Sequence, residues 1–444
     1  MLHRALAVGI VVATLAAAFL SGCTSQNLAQ VLPDPGDGSS SAQGLTYYQN
    51  IAPILGAKCV TCHSTGGIGP FTLTSYADAR ANAQGIVQVM QNRTMPPLPP
   101  TQLGCQALDD ERNMSDDDRS TLAYWAMGAK AEGDAAHPAP IVPPVDVLGP
   151  ATVNIDSGLD YTSTYPGTDD YRCFVIDPKL AGTFPLIAAD TTSTNGSIVH
   201  HVIIYAALPQ ALAAVAQLDA ADAGPGYECF GGPGFTGAIP VSASAVGSTA
   251  RPFPEGSGIP LPAGTQFVVQ VHYNFTNGRG ANRLALQLWQ ATAPLTQVPH
   301  GLTMANTTFD IPAGAPDVEA TAIGQFMTTP PGGAGFAKPG KIWQVFPHMH
   351  QLGRSIYVEL ERTDGSKACL MNIDGNWNFH WQGSYQFAQP VTVQAGDQVK
   401  VTCTWDNTAD NQPMVNGVQQ PPHDVRFGES SSDEMCLTGL TLTN

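Results

Sequence analysis

Pro138, Pro140, Pro143, Pro144 and Pro150 fall close together in one short stretch and divide this chain. A ring that fixes φ and removes a backbone donor stops helices and strands alike, so residues 136–150 form a stiff, extended linker. Before it, apolar residues recur at helical spacing. After it come short β-branched and aromatic runs separated by Gly, Pro, Asn and Asp, the texture of antiparallel β structure. At 444 residues the chain exceeds what one hydrophobic core organises. With 45 Gly, 36 Pro and only 12% charged residues, it is turn-rich and suited to an extracytoplasmic, mainly β protein. A formal charge of -17 argues against nucleic acid as a partner.

The first residues read as a targeting segment. His3 and Arg4 precede an apolar stretch too short to span a bilayer, and Leu20-Ser21-Gly22-Cys23 resembles a lipobox. Residues 1–22 are thus expected to be a lipoprotein signal peptide. Cys23 would carry the lipid, and residues 23–45 would be a flexible tether. The expected location is the periplasm or an outer-membrane surface of a bacterium, with membrane attachment by the lipid alone.

Residues 46–135 form the helical part. A short helix over Tyr47 to Leu55 leads into Cys59-Val60-Thr61-Cys62-His63, the spacing at which two thiols bind haem c covalently and the adjacent imidazole ligates its iron. A redox dithiol and half of a zinc site also begin Cys-x-x-Cys. Thr94-Met95-Pro96-Pro97 offers a thioether on a rigid loop as the sixth iron ligand, with Met90 and Met114 as competitors. Ser115 with Asp116 to Asp118 reads as a helix start, followed by an apolar stripe of Leu122, Trp125 and Ala126. This part resembles small class I cytochromes c over nearly its whole length.

The β region carries four groups of candidate metal ligands. His348 and His350, one residue apart, project from one face of a strand about 7 Å apart, close enough to share an ion. His200 and His201 are adjacent on a strong strand and point to opposite faces, so joint binding needs a bulge or a twist. In Phe267 to Tyr273, His272 lies beside Gln270 on the more polar face. Asp433-Glu434-Met435-Cys436 places a thioether between acids and a cysteine, an odd site for core packing and a soft ligand suited to Cu(I).

In order and character these four groups resemble the copper type II, ascorbate-dependent monooxygenases, the family of the peptidylglycine α-hydroxylating and dopamine β-hydroxylating enzymes. The resemblance covers roughly Val153 to the C-terminus. It implies two jelly-roll β-sandwich domains, residues 151–298 and 299–444, facing each other across a cleft with one copper on each. One copper would take His200, His201 and His272. The other, which activates O2, would take His348, His350 and Met435 and keep an open position. The resemblance also favours a Cys403–Cys436 disulfide. Cys105, Cys173, Cys229 and Cys369 are left with their pairing open. His137, His300, His380 and His423 have no matching role.

A blue-copper site needs a thiolate followed shortly by histidine and methionine, and Cys403 is followed by Thr-Trp-Asp-Asn-Thr-Ala-Asp. The peptide-amidating members hold a substrate carboxylate with an arginine, an asparagine and a tyrosine at places occupied here by Phe346, Leu437 and Gly439. The expectation is therefore an exported monooxygenase with two copper ions and one covalent haem c, hydroxylating a C–H bond of a small, less polar substrate with O2. Electrons would come through the haem, or from an external donor such as ascorbate or a quinol-linked cytochrome. The alternative is a non-catalytic electron-transfer or copper-handling lipoprotein.

Overall fold

The computed structural model describes residues 44–65, 69–92, 94–96, 104–109, 114–140, 148–245, 250–275, 278–324, 336, 338–379, 382–415, 418–428 and 430–444. The signal peptide, Cys23, His380 and Glu429 lie outside these residues. The described chain is mainly β, built from antiparallel sheets with few helices.

The helical unit comprises a π-type turn, Tyr47–Ile51, running into Ala52–Lys58, then Tyr76–Ala81, Ala83–Gln91 and Asp116–Met127. Ser75 and Ser115 cap the second and last of these helices, accepting from the backbone N–H of Asp78 and Asp118. Three aspartates in the first turn of Asp116–Met127 meet the positive end of its dipole. Ile51, Leu55, Leu122 and Trp125 close the core of this unit, with Met90 and Met114 buried among them.

Beyond the linker, two pairs of sheets follow. In the first, Val153–Asp156, Leu284–Gln290, Phe184–Ser193 and Ile259–Leu261 form one sheet in that spatial order. Tyr227–Glu228, Asp169–Ile176, Gln266–Asn274, Val199–Ala207 and Ile239–Ala245 form the other. Leu286 and Leu288 from one sheet and Phe267, Val269 and Val271 from the other share a single core. Gln266–Asn274 is buried on both faces, because the helix Leu212–Ala221 contributes Val215 to a small cluster around Val268. His272 lies with Gln270 on the face away from Phe267, Val269 and Val271, as its neighbours suggest, and that face is buried as well.

The second pair is built alike. His300–Asn306, Cys436–Thr443, Gly340–His348 and Tyr385–Val393 pack against Val318–Ile323, Gln398–Trp405, Gly353–Glu361 and Lys367–Ile373. Trp405, fully buried, lies 4.5 Å ring to ring from Phe309 in the shared core. Burying such a side chain contributes roughly 2–3 kcal/mol.

Among the described residues three disulfides are present: Cys105–Cys369, Cys173–Cys229 and Cys403–Cys436. Such a set belongs to an extracellular or exported protein. Among the described residues no helix is long and apolar enough to cross a membrane.

Candidate metal centres

The strand Val199–Ala207 pairs with Gln266–Asn274, and its register slips between Val199, opposite Tyr273, and His201, opposite His272. The extra residue is His200. This bulge turns it from the face opposite His201 towards the same point, and three ring nitrogens converge. The Nδ1 atoms of His200 and His201 are 3.3 Å apart, those of His200 and His272 3.2 Å, and those of His272 and His201 3.4 Å. Among the described residues it is this trio that groups three metal-ligating side chains with ligand atoms within 4.8 Å of one another.

The outer nitrogens of two of these rings are held. His272 Nε2 donates to Asp169 Oδ1 at 2.8 Å, and His200 Nε2 donates to the Phe379 carbonyl at 3.1 Å. A proton held at Nε2 leaves the Nδ1 lone pair for a metal. Burial alone would raise the Asp169 pKa, but the hydrogen bond and charge of His272, with Asn274 and Thr168, hold it well below the usual carboxylate range. Tyr171 stacks on the His272 ring at 4.2 Å and fixes its plane.

In the second sheet pair, Gly340–His348 ends at His348, opposite Leu437 in Cys436–Thr443. His350 follows His348 by two residues and Met435 precedes Leu437 by two, both just beyond the paired residues. Here the opposite ring nitrogens are tied. His348 Nδ1 donates to Gln382 Oε1, and His350 Nδ1 donates to the Asp433 carbonyl at 3.0 Å. Both Nε2 lone pairs are left for a ligand. Burial lowers the His348 pKa to about 3, with the nearby His350 ring adding to it, and lowers that of His350 to about 4. The His201 pKa also falls well below the ordinary histidine value, through burial and then its imidazole neighbours. These rings are neutral at pH 7, the state in which imidazole binds metal.

Buried Glu434 locks this corner together. Its carboxylate accepts from the backbone N–H of His350 at 2.9 Å and of Leu352, and from Trp405 Nε1 at 2.8 Å. The Cys403–Cys436 disulfide follows one residue after Met435.

The two groups face one another across a single residue. The Phe379 ring stacks on His200 at 4.9 Å and meets His350 edge-on at 5.9 Å. Its carbonyl accepts from His200 Nε2 and, at 2.9 Å, from Gln382 Nε2, whose own oxygen holds His348. Ser431 donates to Asp169 at 3.1 Å across the same boundary. Asp169, Phe379 and Gln382 carry no local motif, and sequence reasoning misses them. Glu434 stands inside a noted motif, but its partners are remote.

In the helical unit Cys59 and Cys62 take no part in the disulfides, and burial pushes the Cys59 thiol up to about 12. A thiol so hard to ionise makes a poor redox nucleophile. His63 Nδ1 donates to the Phe71 carbonyl at 3.0 Å, which leaves Nε2 for a ligand. Met90 and Met114 are core residues, while Met95 is only partly buried and its carbonyl accepts from Arg119. His137 pairs with Asp134 at the surface, His300 lies on an exposed strand start, and His423 lines a cleft beside Gln351 and Ser431.

Fold and site together define a mainly β, disulfide-bonded protein with two groups of neutral imidazoles, a donor set suited to copper. Residues 334–441 match the family described as copper type II ascorbate-dependent monooxygenase, C-terminal domain. The chain is 28% identical over 258 residues to DBH-like monooxygenase protein 2 of Mus musculus, covering 55% of this chain and 38% of that protein. It is 24% identical over 276 residues to dopamine beta-hydroxylase of Rattus norvegicus, covering 57% and 42%. The chain thus spans about two fifths of the length of these relatives. The matches support this copper-dependent monooxygenase family for the chain. Among solved structures, the infectious bursal disease virus VP2 subviral particle aligns over 68% of this chain and 74% of that one at 10% identity. Its TM-score of 0.18 carries no argument.

Proposed function

We propose that this chain is an exported, lipid-anchored copper monooxygenase that hydroxylates a C–H bond of a small organic substrate with O2. Its two β units would be the family's jelly-roll domains. The observation that carries the reading is the matched locking of ring nitrogens. In the first group the Nδ1 atoms opposite the bonded nitrogens of His200 and His272 converge with that of His201, and in the second the bonds at Nδ1 of His348 and His350 leave Nε2 for a ligand.

His200, His201 and His272 would hold one copper, and His348, His350 and Met435 the other. Copper bound there would supply one-electron redox chemistry and, at the thioether-bearing site, activation of O2. The chain's own residues do the rest. Asp169 and Gln382 fix tautomer and ring plane. Phe379 packs on His200 and meets His350 edge-on, and would shield both rings from water. Phe346 stacks over His348 at 6.0 Å, opposite Gly439, and gives the approach to the second group an apolar wall without a carboxylate anchor. A weakly polar substrate fits that wall.

The helical unit would carry a covalent haem c on Cys59 and Cys62, with His63 and Met95 as axial ligands. The donor set fits: two thiols, a histidine with Nε2 free, and a thioether at the edge of an apolar core. Ascorbate or an external cytochrome would reduce it.

The test is to load the protein with copper, supply ascorbate and screen weakly polar exported metabolites for an atom of labelled O2. Labelled hydroxyl in a product is the expected result. Copper that stays inert to O2 with every substrate while the haem cycles normally would establish the carrier reading instead.

A further inference from the structure

The proline-rich linker is not the only connection between the helical unit and the β region. Residues 104–109 leave the helical unit and lie on the second sheet pair. Cys105 is bonded to Cys369 on the strand Lys367–Ile373, and Gln106 N–H donates to the Cys369 carbonyl at 3.1 Å. Leu108 is buried in the core of that pair and bridges Phe387. Asp109 N–H donates to the Gln386 carbonyl at 2.8 Å, and Ala388 N–H donates to the Ala107 carbonyl at 2.8 Å. Asp109 also meets Arg251 of the first sheet pair at 3.5 Å. A covalent bond, a ladder of backbone hydrogen bonds and a buried leucine make this a built junction.

Its position matters because of what the neighbouring strand carries. Gln386 and Tyr385 pair with Gln344 and Val345, and Val345 stands three residues before His348 on the same strand. At the other end, Met95 is ten residues from Cys105, a reach of at most about 35 Å. We propose that residues 104–109 are a strap that fixes the helical unit to the second sheet pair and, by tethering the haem there, provides an electron route to the His348–His350 copper that depends on the Cys105–Cys369 bond. The route rests on the function proposed above; the strap does not. Each transfer converts Fe(II) and Cu(II) to Fe(III) and Cu(I), with no bond made or broken. An external one-electron reductant restores Fe(II), and two transfers serve one hydroxylation.

A protease site inserted within residues 141–147 of the full-length protein tests the strap. After cleavage, the haem-stained fragment should co-migrate with the β fragment on a denaturing gel without thiol reductant and separate from it with reductant. Separation in both lanes overturns the strap. A Cys105–Cys369 peptide in an unreduced digest of the unmodified protein gives the same answer without any variant. For the route, the copper-loaded, fully reduced protein is mixed rapidly with O2 and haem reoxidation is followed by its visible absorbance. The Cys105→Ser/Cys369→Ser protein should lose at least tenfold in that rate while keeping its copper content and ascorbate-driven O2 uptake. An unchanged rate overturns the route. Absence of O2 uptake in both proteins counts against the function proposed above and leaves the gel result standing.

Discussion

The two histidine groups use the same side chain in opposite senses. In the first, Nδ1 atoms converge and one outer Nε2 is held by an ionised carboxylate, Asp169. In the second, Nε2 atoms are left free and the Nδ1 protons go to neutral acceptors, the Gln382 amide and the Asp433 carbonyl. A carboxylate partner makes an imidazole more basic and favours the higher-charged metal ion, whereas neutral acceptors beside a thioether favour Cu(I). On the proposed function, the first group would then be the readier one-electron donor and the second the one that meets O2.

The strongest way to break this contrast is His348→Ala. Copper content should fall by one ion per chain, and O2-dependent product formation should vanish while the first group keeps its copper, as metal analysis and labelled-oxygen assays would read. Replacing Cys403 and Cys436 together with serine should cost roughly 2–5 kcal/mol in denaturant unfolding and weaken the second site more than the first. Loss from the first site alone would show that Met435 is not held by this disulfide.

Asp169→Asn should weaken copper at the first group by about 10–100-fold, and Gln382→Leu should do the same at the second, each measured by competition with a chelator. Equal losses at both sites in either variant would show that the Phe379 carbonyl couples the groups into one. The smallest effect separates scaffold from site. Burial raises the Asp190 pKa to about 6, against hydrogen bonds from Thr191 and Ala250. Its folded state holds the proton more tightly than the unfolded chain, so the stability is present below pH ~4 and lost as pH rises through about 6. The loss is of order 1–2 kcal/mol after allowing for partial exposure. Asp190→Asn should flatten that slope in pH-dependent melting without altering copper binding.

Much of this was legible in one dimension. His348 and His350 share a face because a strand repeats every two residues, and their flanks are strand-forming. Ser115 and its three aspartates mark a helix start. Cys59, Cys62 and His63 stand on a short turn that any reading of spacing finds. The place of His272 beside Gln270 on the more polar face was legible too, and its full burial was less visible. Tyr171, His200 and His201 pack on its ring from neighbouring strands, and that covering is a property of the assembled sheet.

The sequence by itself determined which side chains could bind metal and on which local geometry they stand, since spacing and chain period are properties of neighbours along the chain. Only the tertiary structure decided which nitrogen of His200, His272, His348 and His350 is tied and which is left for a metal. That choice lies with Asp169, Phe379, Gln382 and Asp433, which reach their histidines from strands and loops up to 179 residues away. The tertiary structure also paired Cys105 with Cys369 across a separation of 264 residues. Distances that long leave no periodic trace, because the contact depends on how whole sheets pack and not on the local path of the chain.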